Sequence, residues 1–200
     1  MTALDAVGPY EVLARLPSAE VLFVADRPGP VRTDTNRLSL VAEASLAEAP
    51  AADLILVPGG YQPPVANGAL HEWLRAADAT STWTASVCVG SLVLGAAGLL
   101  TGRRATSHWT TLENLAGYGA VPVAERVVVD GKYATAAGVS AGIDLALDLV
   151  GRIAGPEAAQ MIQLGIEYDP APPFQAGSPA KAPAPMVDFF REHRELVVKL

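Results

Sequence analysis

Apolar, β-favouring runs alternate with segments of helical periodicity along most of the chain. Residues 20–25 (EVLFVA) read as a strand, and residues 53–57 (DLILV) as another, ended by Pro58-Gly59-Gly60. An amphipathic helix is predicted over 67–79, then a strand over 82–87 that runs straight into a helix over 89–100. Residues 104–107 form a short strand in this reading, and 121–130 with 132–136 a hairpin turning at Asp130-Gly131. Ser140 is placed to cap a helix over 141–154, and Pro156 stands where the next helix starts. Strands this continuously apolar require a sheet covered on both faces, so the pattern predicts an α/β fold around a mostly parallel sheet.

Residues 168–185 (YDPAPPFQAGSPAKAPAP) break the alternation, because their prolines can supply neither a ladder nor a helix. Tyr168 and Phe174 within the segment predict an arm lying on a surface, since a solvated linker gains nothing from aromatic side chains. A final amphipathic helix is predicted over 186–198.

Half of the 200 residues are apolar and only 18% are charged, which excludes a disordered chain and fits one compact domain with an arm. In this division residues 1–167 are the α/β domain, and residues 168–200 are an arm and helix belonging to it. Fourteen basic residues against 21 acidic ones give a net charge of −7, with no basic stripe, so nucleic acid is not expected as a partner. The uncharged run 89–100 falls far short of the ~20 residues of a membrane span. The first residues carry Asp5 and Glu11 and no basic or apolar leader pattern, so no secretory signal is expected. A single cysteine makes neither an internal disulfide nor a thiolate metal cage, and a reducing cytoplasm is the expected compartment.

That cysteine is the most informative position. Cys88, in TASVCVGSLVLGAAGLL, follows a strand with no intervening loop and so occupies a strand-to-helix elbow at the carboxyl end of a sheet. Unpaired N–H groups of the helix would lower its thiol below the ordinary ~8.5 and make a nucleophile. The same position also fits a buried, inert cysteine. Pro58-Gly59-Gly60 ends another strand with a backbone able to approach a ligand, and with the N–H of Val89 it could form a two-donor hole beside Cys88. His71 and His193 lie in polar helical patterns and are expected in solvent.

The segments DLILVPGG, SVCVGSLVLGAAGLLTGRRATSHW and GVSAGIDLALDLV resemble the ThiJ/PfpI superfamily of glutamine-amidotransferase-like domains, over about Leu4 to Pro179. LDAVGPYEVLARLP and EYDPAPPFQAGSP look like its isonitrile hydratase branch. The resemblance implies a flavodoxin-like three-layer sandwich, a homodimer, and hydration of a small isonitrile to an N-substituted formamide with no metal or organic cofactor. It also implies Cys88 as nucleophile, Asp5 as the acid beside it, and Gly60 and Val89 as backbone donors, with Tyr61 and His108 at the pocket. From the sequence alone Asp5 also fits a first-turn helix residue. Two other readings carry the same cysteine: chemistry on a small carbonyl such as an oxoaldehyde, with His108 as base, or a non-enzymatic sensor of ligands or oxidation. The chain departs from the branch in three places. Val89 stands where the hydratases have threonine, Tyr61-Gln62-Pro63-Pro64 is bulkier than the small turn expected, and only residues 1–3 precede Leu4-Asp5, where the superfamily has an interior strand. A start farther upstream, or an incomplete sheet, is the expectation from the last.

Overall fold

The computed structural model describes residues 1–198. Lys199 and Leu200, at the end of the predicted arm-and-helix segment, lie outside the described residues. The chain begins with helix α1 (Ala3–Leu13), followed by strands β1 (Val24–Ala25), β2 (Gly29–Arg32), β3 (Ser39–Ala42), β4 (Ala44–Ser45) and β5 (Leu54–Val57). Helix α2 (Ala69–Asp78), strand β6 (Trp83–Val87), helix α3 (Gly90–Ala96) and the short β7 (Arg104–Ala105) come next. A 3-10 helix (Leu112–Tyr118) leads to β8 (Val121–Pro122), β9 (Val127–Asp130) and β10 (Tyr133–Ala136). Helices α4 (Ala141–Ala154), α5 (Pro156–Gly165) and α6 (Ala184–Glu192) and a closing 3-10 turn (Arg194–Val198) complete it.

The central sheet has the order β5-β6-β10-β9. β5, β6 and β10 are parallel, and β9 joins β10 antiparallel, Tyr133 opposite Asp130, through the predicted Asp130-Gly131 turn. Gly131 takes a φ of +63° there, which a side chain would oppose. The architecture is the expected flavodoxin-like α/β sandwich. Its main core gathers Leu74, Leu94, Leu100, Leu145 and Leu149 on strands such as Val87 and Ala134, all fully buried. A second cluster of Val12, Ala146, Val150 and Ile162 joins α1, α4 and α5. None of the described helices is long and apolar enough to cross a membrane.

Several expectations change. The predicted strand 20–25 shrinks to β1, which pairs with β4 in a two-stranded sheet of its own, and among the described residues β5 pairs with β6 alone. Residues 1–2 run beside the end of β5, where the Thr2 N–H donates to the Gly59 carbonyl at 3.0 Å and the Asp34 N–H to the Met1 carbonyl at 2.9 Å. The hairpin β2–β3 was not foreseen, because GPVR and SLVA carry no long apolar run. Ser140 precedes α4 without capping it, since its hydroxyl faces the Arg126 guanidinium at 3.3 Å. The arm does not lie on its own domain along its first half. Tyr168 anchors it by donating to Asp144 at 2.8 Å, but residues 169–177 are all exposed, Phe174 at 79%. It returns at Ser178, Pro179 and Ala182, which are half-buried.

The tightest packing in the fold joins α3 to β5. A Cβ on Gly90 would stand 2.1 Å from the Val57 carbonyl oxygen, so only glycine lets the helix start against the strand. Gly90→Ala should therefore cost at least about 3 kcal/mol, in the range of severe overpacking. Urea denaturation would measure it, and a loss below 1 kcal/mol would mean that helix and strand separate readily.

Candidate active site

Cys88 and Val89 are the only residues between β6 and α3. With so short a connection the backbone turns abruptly, and Cys88 takes a φ of +59°, the left-handed region that costs a residue with a Cβ roughly 1–2 kcal/mol. The turn is held on every side. The Cys88 N–H donates to the Ala136 and Ala137 carbonyls at 3.0 Å, and its own carbonyl accepts from the Ser91 and Ser107 hydroxyls at 3.1 Å. β5 reaches the same point through Gly59. A Cβ there would lie 2.7 Å from the Val89 nitrogen and 2.9 Å from both the Cys88 Cβ and Asp5 Oδ2. Glycine is thus required for strand, elbow and α1 to converge.

Asp5 stands in the first turn of α1 and is fully buried. Its Oδ2 accepts the Gly59 N–H at 2.9 Å, while Oδ1 is buried without a hydrogen-bond partner. Burial pushes the carboxyl up to about 7, helped by the charge of Asp34 and opposed by the Gly59 N–H and by Cys88. The Cys88 thiol is pushed up to about 12, first by burial and then by the Asp5 carboxylate, against the N–H groups of Val89 and Val139. The expectation of a thiol below 8.5 is therefore overturned. A helix of seven residues and two backbone donors do not outweigh burial beside a carboxylate. Asp5 and Cys88 titrate as a pair that sheds one proton near pH 7 and keeps the second far higher.

Val139 is the donor that sequence reasoning missed. It lies three residues past the end of β10 and just ahead of α4, with a φ of +34° that a β-branched residue rarely adopts. The signal was present in GVSAG, a glycine before a helix at the end of a strand, but nothing in it shows the N–H turned toward Cys88. Gly59 was passed over in favour of Gly60. A Cβ on Gly60 would meet Met1 and Asp34 instead, so it is Gly59 that touches the cysteine and its own N–H is taken by Asp5. Val89 is buried, with its N–H on the thiol. Tyr61 stands 41% exposed on the loop after β5.

His108 is buried, and its ring packs so closely on Gly138 that a Cβ there would lie 2.6 Å from Cδ2. Its Nδ1 accepts the Thr110 N–H at 3.3 Å and contacts the Thr110 hydroxyl at 2.8 Å, which leaves the ring proton on Nε2. Burial lowers its pKa to about 4. With its proton on Nε2 the neutral ring presents a donor on that side, while Thr110 takes up its Nδ1 lone pair. His71 is not in solvent either. It is 1% exposed on the buried face of α2 with Leu74 and Asp78, and neither ring nitrogen has a partner. His193 is half-buried and stacks on Phe189 at 4.6 Å.

The DJ-1/PfpI family matches residues 1–152. The chain is 44% identical over 199 residues to an isonitrile hydratase of Pseudomonas putida, covering 98% of this chain and 87% of that protein. It is 36% identical over 137 residues to an HTH-type transcriptional regulator of Pseudomonas aeruginosa, covering 67% of this chain and 40% of the regulator. Its fold superposes with a TM-score of 0.93 on the crystal structure of a ThiJ/PfpI family protein from Pseudomonas syringae, at 39% identity over 96% of this chain and 81% of that one. With the family's model matching three quarters of its length, the chain belongs to the DJ-1/PfpI family.

Proposed function

We propose that the chain hydrates an isonitrile, R–N≡C, to the formamide R–NH–CHO, with Cys88 as nucleophile and Asp5 as its proton carrier. The observation that carries this reading is the buried Asp5–Cys88 pair, in which Gly59 holds one carboxylate oxygen and the carboxyl and thiol interact side chain to side chain. An isonitrile needs a nucleophile and a proton at the same carbon, and a pair sharing one proton supplies both. The full-length similarity to a hydratase supports the same substrate class.

Above pH 7 the pair holds one proton, written as carboxylate and thiol. The thiol proton passes to Asp5 as sulfur bonds to the terminal carbon, and Asp5 returns it to that carbon, leaving the thioimidate R–N=CH–S–Cys88. Asp5 next takes a proton from water as the oxygen adds to carbon, and delivers it to nitrogen. The resulting R–NH–CH(OH)–S–Cys88 collapses to the formamide as the C–S bond breaks, and the hydroxyl proton returns to the sulfur. The N–H groups of Val89 and Val139 stabilise sulfur whenever it carries charge.

The second part of the reading is a homodimer. Residues 169–177 leave the protomer surface with Phe174 exposed at 79%, and α5 exposes Met161 at 75% and Leu164 at 82%, apolar area that a second copy would cover.

A product assay over isonitriles and oxoaldehydes should yield formamides with the natural protein and none with Cys88→Ser. Formamide production by Cys88→Ser, or turnover confined to oxoaldehydes, would reject the reading.

The rate constant kcat/KM should rise through about pH 7 as the pair loses its first proton. Asp5→Asn should lower it at least ~10²-fold and abolish that limb. Stability runs the other way. The folded carboxyl holds its proton up to about pH 7, whereas its ordinary value is 3.8, so the folded state binds more protons between those limits and loses stability as pH rises through them. The burden reaches about 4 kcal/mol by pH 8. Thermal melts from pH 4 to 8 should show this slope in the parent and little of it in Asp5→Asn; equal slopes would place the charge elsewhere.

Light scattering should give about twice the 20.7 kDa chain mass, and Phe174→Asp should weaken the dimer at least tenfold. A monomeric parent, or a variant that dimerises as tightly as the parent, would remove the arm from the interface.

A further inference from the structure

The turn that aims the Val139 N–H at the sulfur is held by little of its own. A β-branched residue with a φ of +34° is strained, and such a conformation persists only where its surroundings fix it. The first bonds of α4 are long: the Ala141, Gly142 and Ile143 N–H groups reach the Gly138, Val139 and Ser140 carbonyls at 3.3, 3.4 and 3.3 Å. No side chain among the described residues caps the helix. Ahead of the turn the backbone is secured, since the Ala137 N–H donates to the Arg126 carbonyl at 2.9 Å and the Cys88 N–H to the carbonyls at 136 and 137. Beyond it, the Ser140 hydroxyl accepts from the Arg126 guanidinium at 3.3 Å.

Arg126 is itself held from two elements. Its Nε donates to Asp144 Oδ2 in the first turn of α4, while the Tyr168 hydroxyl donates to Asp144 Oδ1 at 2.8 Å and also interacts with the guanidinium. Tyr168 has a fixed place of its own, because its N–H donates to the Gln163 carbonyl at 3.0 Å and its carbonyl accepts from the Gln163 amide at 3.1 Å. The Arg126 and Asp144 side chains are 51% and 30% exposed, where an ion pair adds little to stability. Its geometry is more telling. The Arg126 carbonyl holds residue 137 and the Arg126 guanidinium holds residue 140, so Gly138 and Val139 are strung between two groups of one residue.

We propose that Arg126 is a positioning residue of the active site: oriented by Asp144 and Tyr168, it spans the turn 137–140 and so keeps the Val139 N–H on the Cys88 sulfur. Without the guanidinium, Ser140 is freed, Val139 relaxes toward an ordinary φ, and its N–H turns off the sulfur. The start of the arm thereby supports the reaction through Asp144, from a residue that touches neither thiol nor substrate. The inference rests on the hydratase reading for the step at which the donor matters, the attack in which sulfur exchanges its proton for a bond to carbon. For the position of the N–H it rests on the geometry alone.

Two variants separate position from stability. Arg126→Ala removes the guanidinium and leaves the backbone carbonyl that holds Ala137, and Asp144→Asn keeps the size of the carboxylate and an acceptor for Tyr168 but loses the charge that orients Arg126. The Val139 amide resonance, followed by NMR, reads the N–H···S contact directly, with Cys88→Ala as the reference for a released N–H. In both variants it should move toward its position in Cys88→Ala while the thermal midpoint changes little. For isonitrile hydration kcat should fall about tenfold with KM within about twofold, less than the roughly 10²–10³-fold loss of a donor removed outright, because the N–H is displaced and still present. A Val139 resonance that stays in place in both variants would overturn the proposal, whatever becomes of stability. Displacement of the resonance with an unaltered kcat would remove Arg126 from the reaction and overturn it equally. A parent without hydration would reject the hydratase reading, and the resonance would then decide by itself whether Arg126 places the N–H.

Discussion

A carboxylate buried beside a thiol, with no basic side chain as its partner, sets the terms for the rest of this structure. Asp5 has one backbone donor, Gly59, and a second oxygen without any. Burial of that kind opposes folding and is tolerated only where surrounding packing over-determines the position. The supports are visible at each approach: Gly59 and Gly90 let β5 and α3 come within contact of the elbow, and Gly142 lets α4 start against Pro9 of α1, where a Cβ would stand 3.1 Å from the proline ring. Two of the closest approaches in the molecule, at Gly59 and Gly90, thus stand beside one pair of titratable groups.

The same constraint reverses the usual view of a cysteine at a helix start. Backbone donors at such a turn commonly favour a thiolate. Here the loss of solvent and the neighbouring negative charge favour the proton, so the thiol, and not the thiolate, is the resting form at neutral pH. Two backbone N–H groups, from Val89 and Val139, remain aimed at the sulfur to carry its charge when the proton moves.

Much of this was legible in the residues. Strong apolar runs placed β5, β6 and β10, the Asp130-Gly131 pair placed the hairpin, and the absence of any loop between β6 and α3 marked Cys88. Asp5 was reached through the motif around it, because a lone aspartate in a first helical turn looks like any other. The illegible parts depend on contacts distant in sequence. Nothing local separates Gly59 from Gly60, and only the approach of α1 decides which of them touches the cysteine. His71 sits in a polar helical stretch yet faces inward, because α2 turns His71, Leu74 and Asp78 toward the core together. The thiol's raised pKa likewise depends on residue 5 reaching residue 88, and no window of the sequence contains both.

The hydrogen bonds of the elbow also bear on the order in which the protein is made. Cys88 donates to carbonyls at 136 and 137, its charge is balanced by an N–H at 139, and its acid partner is at 5. The β9–β10 hairpin closes over a two-residue loop and can form as soon as it is synthesised, whereas the parallel pairing of β6 with β10 brings together segments some fifty positions apart. A growing chain therefore carries an unprotected thiol, with the ordinary acidity of a free cysteine, from the addition of residue 88 at least until residues 136–139 have been added. Only when β10 docks is the sulfur enclosed, its proton tightened and its partner set in place, so the cysteine is most open to stray electrophiles and oxidants before the enzyme exists and least open once it does.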